Sequence, residues 1–122
     1  MVGPGDDVPT LITAALADLG PSAGDVIVVS HKILSKAQGR IIALDAITPS
    51  PEAHELAEAT DKDPALVQAI LDESDRIVRH RPGVIIAQHR LGMVMANAGI
   101  DRSNTPGGED HILLLPEDPD GC

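Results

Sequence analysis

Two clusters of side chains in this sequence have the types and spacing to do chemistry. The first is His31-Lys32 with Ser35-Lys36 and Arg40, which directly follows the apolar run Val26-Ile27-Val28-Val29. The carboxyl edge of a buried strand is where α/β sheets open into a ligand crevice. Two lysines and an arginine at such an edge suit phosphate oxygens. A short helix with a solvated cationic face accounts for the same residues. The second cluster is Asn97-Ala98-Gly99-Ile100-Asp101-Arg102-Ser103-Asn104, where one carboxylate stands with two asparagine amides and a serine hydroxyl. Mg²⁺ and Mn²⁺ commonly take one or two protein carboxylates and complete their shell with water and nucleotide oxygens, so Asp101 has the chemistry of a half-site. An ordinary turn held by side-chain to backbone hydrogen bonds uses the same residue types.

Other chemistry finds less support. His31, His54, His80, His89 and His111 lack the close paired spacing of a zinc site and have no cysteine pair beside them. Their spacing suits surface or core histidines. There is no Walker A, GxSxG or GxGxxG pattern, and Pro106-Gly107-Gly108 reads as a turn. Glu52, Glu55 and Glu58 recur at helical spacing, as the solvated face of a helix does.

The elements that must position these clusters are set by periodicity and caps. Asp6 or Asp7 caps a helix carrying Leu11, Ile12, Ala15, Leu16 and Leu19, which Gly20-Pro21 stops. Asp25–Ser30 is β-branched without alternation, the pattern of a central strand covered on both faces. His31 to Gly39 makes one or two helical turns, and Arg40 to Ile47 is strand-like. Ser50 caps a helix from Pro51 to Ala59. Asp63-Pro64 opens a longer helix whose stripe Leu66, Val67, Ile70, Leu71, Ser74, Ile77 and Val78 runs to Arg81-Pro82-Gly83. Val84-Ile85-Ile86-Ala87 and Met93-Val94-Met95-Ala96 flank a polar segment as a hairpin does, and His111 to Leu115 is a last strand. The fold class is α/β, mixed α+β, with strands and helices interleaved.

Composition narrows the partners. No Phe, Tyr or Trp is available to stack on a base, and a net charge of -10 repels phosphate backbones and anionic membranes. Nucleic acid and membrane partners are therefore not expected. A compact nucleotide is compatible, because local cations and a metal dominate the field within a few ångströms. Cys122 stands alone, so no internal disulfide forms, and with no basic leader or long apolar run the expected location is cytoplasmic.

Gly24-Asp25-Val26-Ile27-Val28-Val29, Ser35-Lys36-Ala37-Gln38-Gly39-Arg40, the Asn97 to Asn104 segment and Leu113-Leu114-Leu115-Pro116-Glu117-Asp118-Pro119-Asp120 occur in a colinear order that resembles the coenzyme F420-0:L-glutamate ligase (F420:gamma-glutamyl ligase) family. Lys62-Asp63-Pro64 and Leu71-Asp72-Glu73-Ser74 extend the resemblance across the chain. It implies ligation of L-glutamate to coenzyme F420-0, dependent on GTP and on Mg²⁺ or Mn²⁺, with K⁺ as a further candidate ion. It also implies nucleotide contacts from His31, Lys32, Lys36 and Asn104, a metal contact from Asp101, and a homodimeric full-length protein. It assigns no catalytic residue. Family members begin with a strand and a Gly-Leu-Pro type segment, where this chain has Met1-Val2-Gly3-Pro4-Gly5, and they continue well past Asp118-Pro119-Asp120. Residues 1–122 are therefore expected to be the N-terminal portion of a ligase domain incomplete at both ends, inactive by itself. The alternative is a non-catalytic nucleotide-binding module that needs a partner chain.

Overall fold

The protein is described by a computed structural model covering residues 1–102 and 110–121. The chain divides into two units, one built from Met1–Ile41 and the residues from Leu115 onward, the other from Ile42–Leu114. Among the described residues no helix is long and apolar enough to cross a membrane.

The first unit is helical. Helix α1 spans Val8–Leu19. Asp7 caps it, accepting from the Thr10 amide at 3.3 Å and the Thr10 hydroxyl at 2.6 Å. Gly20 closes it in the left-handed conformation at φ 59, donating to Leu16 O. Helix α2 spans His31–Ala37, with Ser30 as its cap. Beyond it, Gln38 and Arg40 hold the chain's final segment. The Gln38 amide group donates to Asp118 O at 2.7 Å and accepts from Glu117 N at 2.7 Å. Arg40 donates to Leu115 O at 3.0 Å and pairs with Glu117 at 2.8 Å.

The central strand expected at Asp25–Ser30 is not present. Residues 25–30 are irregular and exposed, and no described segment of this unit lies alongside to make a ladder. A β-branched run becomes a strand only with a hydrogen-bonded neighbour.

The second unit holds the core. Helices α3, Pro51–Thr60, and α4, Pro64–Asp72, are capped by Ser50 and Asp63 and open on proline, as their sequences predict. Strand β1, Ile41–Ala43, pairs with β5, His111–Leu113, while β2, Ser74–Arg81, β3, Val84–His89, and β4, Val94–Ala96, form an antiparallel meander. Strand β3 alternates strictly, with Ile85, Ala87 and His89 buried and Val84, Ile86 and Gln88 half-buried. Ile85 and Ala87 join Ala53, Ala57, Val67, Ile70 and Ala98 in one cluster, and Leu44, Ala69, Ile112 and Leu114 form a second.

The long helix expected to run from Pro64 to Arg81 ends at Asp72. Strand β2 takes over from Ser74, because Pro82-Gly83 is a hairpin turn and not a helix stop: Gly83 sits at φ 88, and Arg81 pairs with Val84. The strand register sets Ile77 opposite Ala87, on the face that packs against the core, so the β-branched Ile77-Val78 pair is served better by the sheet than by another helical turn.

Ile70 is fully buried at the centre of the larger cluster. Ile70→Ala is expected to cost about 2–5 kcal/mol in denaturant unfolding, whereas Glu55→Ala on the exposed face of α3 stays within about 0.5 kcal/mol. Hydrogen bonds from the Thr10 hydroxyl, then from its amide, hold the Asp7 carboxyl below its ordinary value of 3.8. Since the folded value is the lower one, the cap's contribution is present above the unfolded value and is lost as pH falls through the folded one. An NMR titration should find the Asp7 midpoint below 3.8, moving up in Thr10→Ala; an unmoved midpoint would refute the cap as its cause.

Candidate functional site

The cationic cluster sits on α2. Lys32 and Lys36 are four residues apart on this seven-residue helix, both half-buried along their stems, with His31 exposed at its start. Like charges at that spacing repel each other by about 0.2–0.5 kcal/mol on an exposed helix. Between them Ser35 is fully buried, and its Oγ has no hydrogen-bond partner among the described residues. A buried unpaired hydroxyl costs about 1–3 kcal/mol, a feature of α2 that stability does not explain. Arg40, read from sequence with the phosphate-binding cations, is committed instead to Leu115 O and Glu117.

The second cluster belongs to the other unit. Strand β4 runs into a 3₁₀ turn, Asn97–Gly99, whose three residues all have positive φ: 53 at Asn97, 52 at Ala98 and 71 at Gly99. Left-handed non-glycine residues cost about 1–3 kcal/mol each, and strain of this kind gathers where a loop must take one shape. The methyl of Ala98 is fully buried in the main core cluster, and Asn97 Oδ1 is buried without a hydrogen-bond partner among the described residues. The chain then reaches Asp101, held in an antiparallel bridge with Leu113 by hydrogen bonds of 2.9 and 2.8 Å. Asp101 is half-buried. Asn104 and Pro106-Gly107-Gly108 lie outside the described residues. Among the described residues no three His, Cys, Asp or Glu side chains gather as a metal cage.

Sequence reasoning passed over a third group. His89 closes the inward face of β3 and is fully buried; its Nδ1 accepts from the Leu91 amide at 3.0 Å, and its Nε2 lies 3.3 Å from Glu73. Arg90 approaches the same Glu73 carboxylate at 3.5 Å, and its amide donates to Glu73 O at 3.0 Å. With Nδ1 accepting from Leu91, Nε2 is the nitrogen placed to donate toward Glu73. The network pins the turn between β3 and β4 to the end of α4, a positioning role. Part of the signal was present: His89 continues the inward alternation of Ile85 and Ala87, whereas Glu73 falls inside the longer helix expected from sequence and ends α4 only in the structure.

The structure thus places His31, Lys32 and Lys36 on one helix of the first unit and Asp101 at a strained turn of the second. An open concavity of about 410 Å³ lined by Glu52, Glu55, Leu56, Ala59, Ile77 and His80 holds none of them, and its carboxylates suit no anion.

Comparison with known proteins gives these groups a context. The family model for F420-0:Gamma-glutamyl ligase matches residues 1–122. The chain is 52% identical over 119 residues to a coenzyme F420:L-glutamate ligase of Methanopyrus kandleri, covering 98% of this chain and 45% of that protein. It is 50% identical over 123 residues to the protein of the same name from Methanothermobacter thermautotrophicus, covering 99% and 48%, and 43% identical to one from Haloarcula marismortui, covering 97% and 46%. The chain spans about half the length of the curated relatives it matches. A whole-chain match to the family model and identities near one half make the chain a member of the F420-0:gamma-glutamyl ligase family.

Proposed function

We propose that this chain supplies one half of an enzyme that joins L-glutamate to coenzyme F420-0, using GTP and a divalent metal. The observation that carries this reading is 52% identity to the Methanopyrus ligase over nearly the whole chain. In such a reaction a carboxylate oxygen of coenzyme F420-0 bonds to the terminal phosphorus of GTP as the bond to GDP breaks. The glutamate amine then bonds to the activated carbonyl carbon, loses a proton and displaces inorganic phosphate.

The residues present fit a hard cation. The Asp101 carboxylate and the buried Asn97 Oδ1, which has no hydrogen-bond partner among the described residues, are oxygen donors four residues apart, of the kind Mg²⁺ or Mn²⁺ takes, with K⁺ as a further candidate. Asp101 would hold the metal, which when bound supplies positive charge against the nucleotide's phosphate oxygens. Lys32 and Lys36, with His31, would bind and orient the polyphosphate, and Asn104 keeps its place as a nucleotide contact by family resemblance. No catalytic residue is assigned.

In this reading the 122 residues bind nucleotide and turnover needs the rest of the family protein. The second reading is a non-catalytic nucleotide-binding subunit or module. Titrating GTP onto the folded chain with and without Mn²⁺, then assaying a chimaera completed with the remaining half of the Methanopyrus relative, separates the two. Glutamate ligation by the chimaera supports the enzyme; binding without ligation supports the module. The completed protein is expected to be a cytoplasmic homodimer.

In that chimaera Asp101→Asn, which removes charge at nearly constant volume, should lower metal-dependent ligation by about 100-fold or more with an unchanged melting curve. Full activity at ordinary Mn²⁺ concentration would reject Asp101 as a metal ligand. Lys36→Ala should weaken GTP binding about tenfold, the loss of one charge-assisted contact of about 1.4 kcal/mol, measured by calorimetry. An unchanged affinity would make Lys36 a surface cation.

A further inference from the structure

The stretch Val26–Val29 is the one part of the described chain whose sequence and surroundings contradict each other. Its side chains are all β-branched, yet Val26, Ile27, Val28 and Val29 are 86%, 54%, 89% and 36% exposed, so the Val26/Val28 face is bare and the Ile27/Val29 face only partly covered. None of its backbone amides or carbonyls has a hydrogen bond among the described residues. Unpaired strand edges in stable proteins are blunted by lysine, proline or a bulge; residues 26–29 carry none of these. Both ends are nevertheless fixed. A turn in which Ser22 N donates to Asp25 Oδ2 at 2.8 Å and Asp25 N to Ser22 O at 3.1 Å precedes it, and Ser30 comes next as the cap of α2. Anchoring at both ends lowers the ordering cost of adding a neighbour.

We propose that Val26–Val29 is a docking strand for the half of the family protein that this chain does not contain, which lays a β-strand along it and covers its side chains. Two observations select this occupant. The curated relatives are about twice as long, so a polypeptide of the required kind accompanies this segment in them. A run that is apolar at every position suits a strand with a neighbour or a packed layer on every side. A second copy of this chain fits poorly. It would offer one ladder and leave the Val26/Val28 face bare, and two chains of net charge -10 repel each other. The docking strand rests on the family membership and the lengths of the relatives, and is independent of the reaction proposed above.

Hydrogen exchange followed by mass spectrometry tests it on two proteins: the 122-residue chain and the chimaera completed with the remaining half of the Methanopyrus relative. Amides 26–29 should exchange at nearly the unstructured rate in the chain alone and at least about 100-fold more slowly in the chimaera, with the buried residues 112–114 as the folded reference in both. In the chimaera Val28→Pro, which deletes one amide donor, should abolish that protection and lower the melting temperature. Protection already present in the isolated chain and growing with its concentration would overturn the proposal in favour of self-pairing. Fast exchange at 26–29 in a chimaera whose core is protected would overturn it outright. If the chimaera does not fold, the same measurement on the Methanopyrus protein, over its aligned segment, decides the question. Because the readout involves no turnover, a protected segment in a protein that ligates no glutamate would refute the proposed reaction and leave the docking strand standing.

Discussion

The second unit depends on the two-sided constraint placed on β3. This strand is paired along both edges, by β2 and by β4, and its inward residues Ile85 and Ala87 are fully buried in the cluster that Ala53, Ala57, Val67 and Ile70 of the helices complete. Burial of Ile85 and Ala87 fixes which face of β3 turns inward, and the two register irregularities of the β2 ladder, between Ser74 and Arg76 and between Ile77 and Arg79, fall on β2 instead. Register then propagates. With Met95 opposite Ala87 and Ala96 opposite Ile86, β4 delivers Asn97 to its turn, and the buried Ala98 returns to the same core.

Magnitudes show why the turn at residues 97–99 needs all of that support. Two left-handed non-glycine residues cost together several kcal/mol, at about 1–3 each. Burying the single methyl of Ala98 returns about 0.8 kcal/mol. The local contact therefore cannot hold the conformation. It is held by the ladder before the turn and the bridge of Asp101 to Leu113 after it, with Ile112 to Leu114 buried behind. Asp101 is placed by backbone hydrogen bonds and by its neighbours' packing, so its position does not depend on what its carboxylate binds.

Much of this was legible in the sequence, and the exceptions share a cause. Caps and prolines located α1, α3 and the start of α4 correctly, since those signals act within one turn of chain. The segment from Ser74 to Arg81 was misread because Ser74, Ile77 and Val78 extend the stripe of α4 by chance. Whether they continue a helix or pair with Val84–His89 is decided by a neighbour across a turn. The Asp25–Ser30 run failed the other way: its composition is that of a buried strand, but no described segment of its unit pairs with it. Of the candidate site, the residue types were visible. The left-handed turn before Asp101 was not, because Asn97 and Ala98 have no intrinsic need for positive φ and adopt it only under the sheet's constraint.

The fate of Arg40 shows how the same logic distributes charge in the first unit. Sequence places it with Lys32 and Lys36 as one cationic patch. The structure sets Arg40 apart: only 16% exposed, it donates to Leu115 O and pairs with Glu117. A planar fork suits that task, satisfying a carbonyl and a carboxylate together, where a lysine offers a single point charge. With Gln38 clamping Glu117 and Asp118, Ser30 capping the other end and Gly5 donating to Ala37 O at 2.8 Å, α2 is tethered at both termini. A seven-residue helix is too short to persist on its own propensity. The tethers keep it formed, and so keep Lys32 and Lys36 on one face despite their mutual repulsion, concentrating two positive charges in a protein whose net charge is strongly negative.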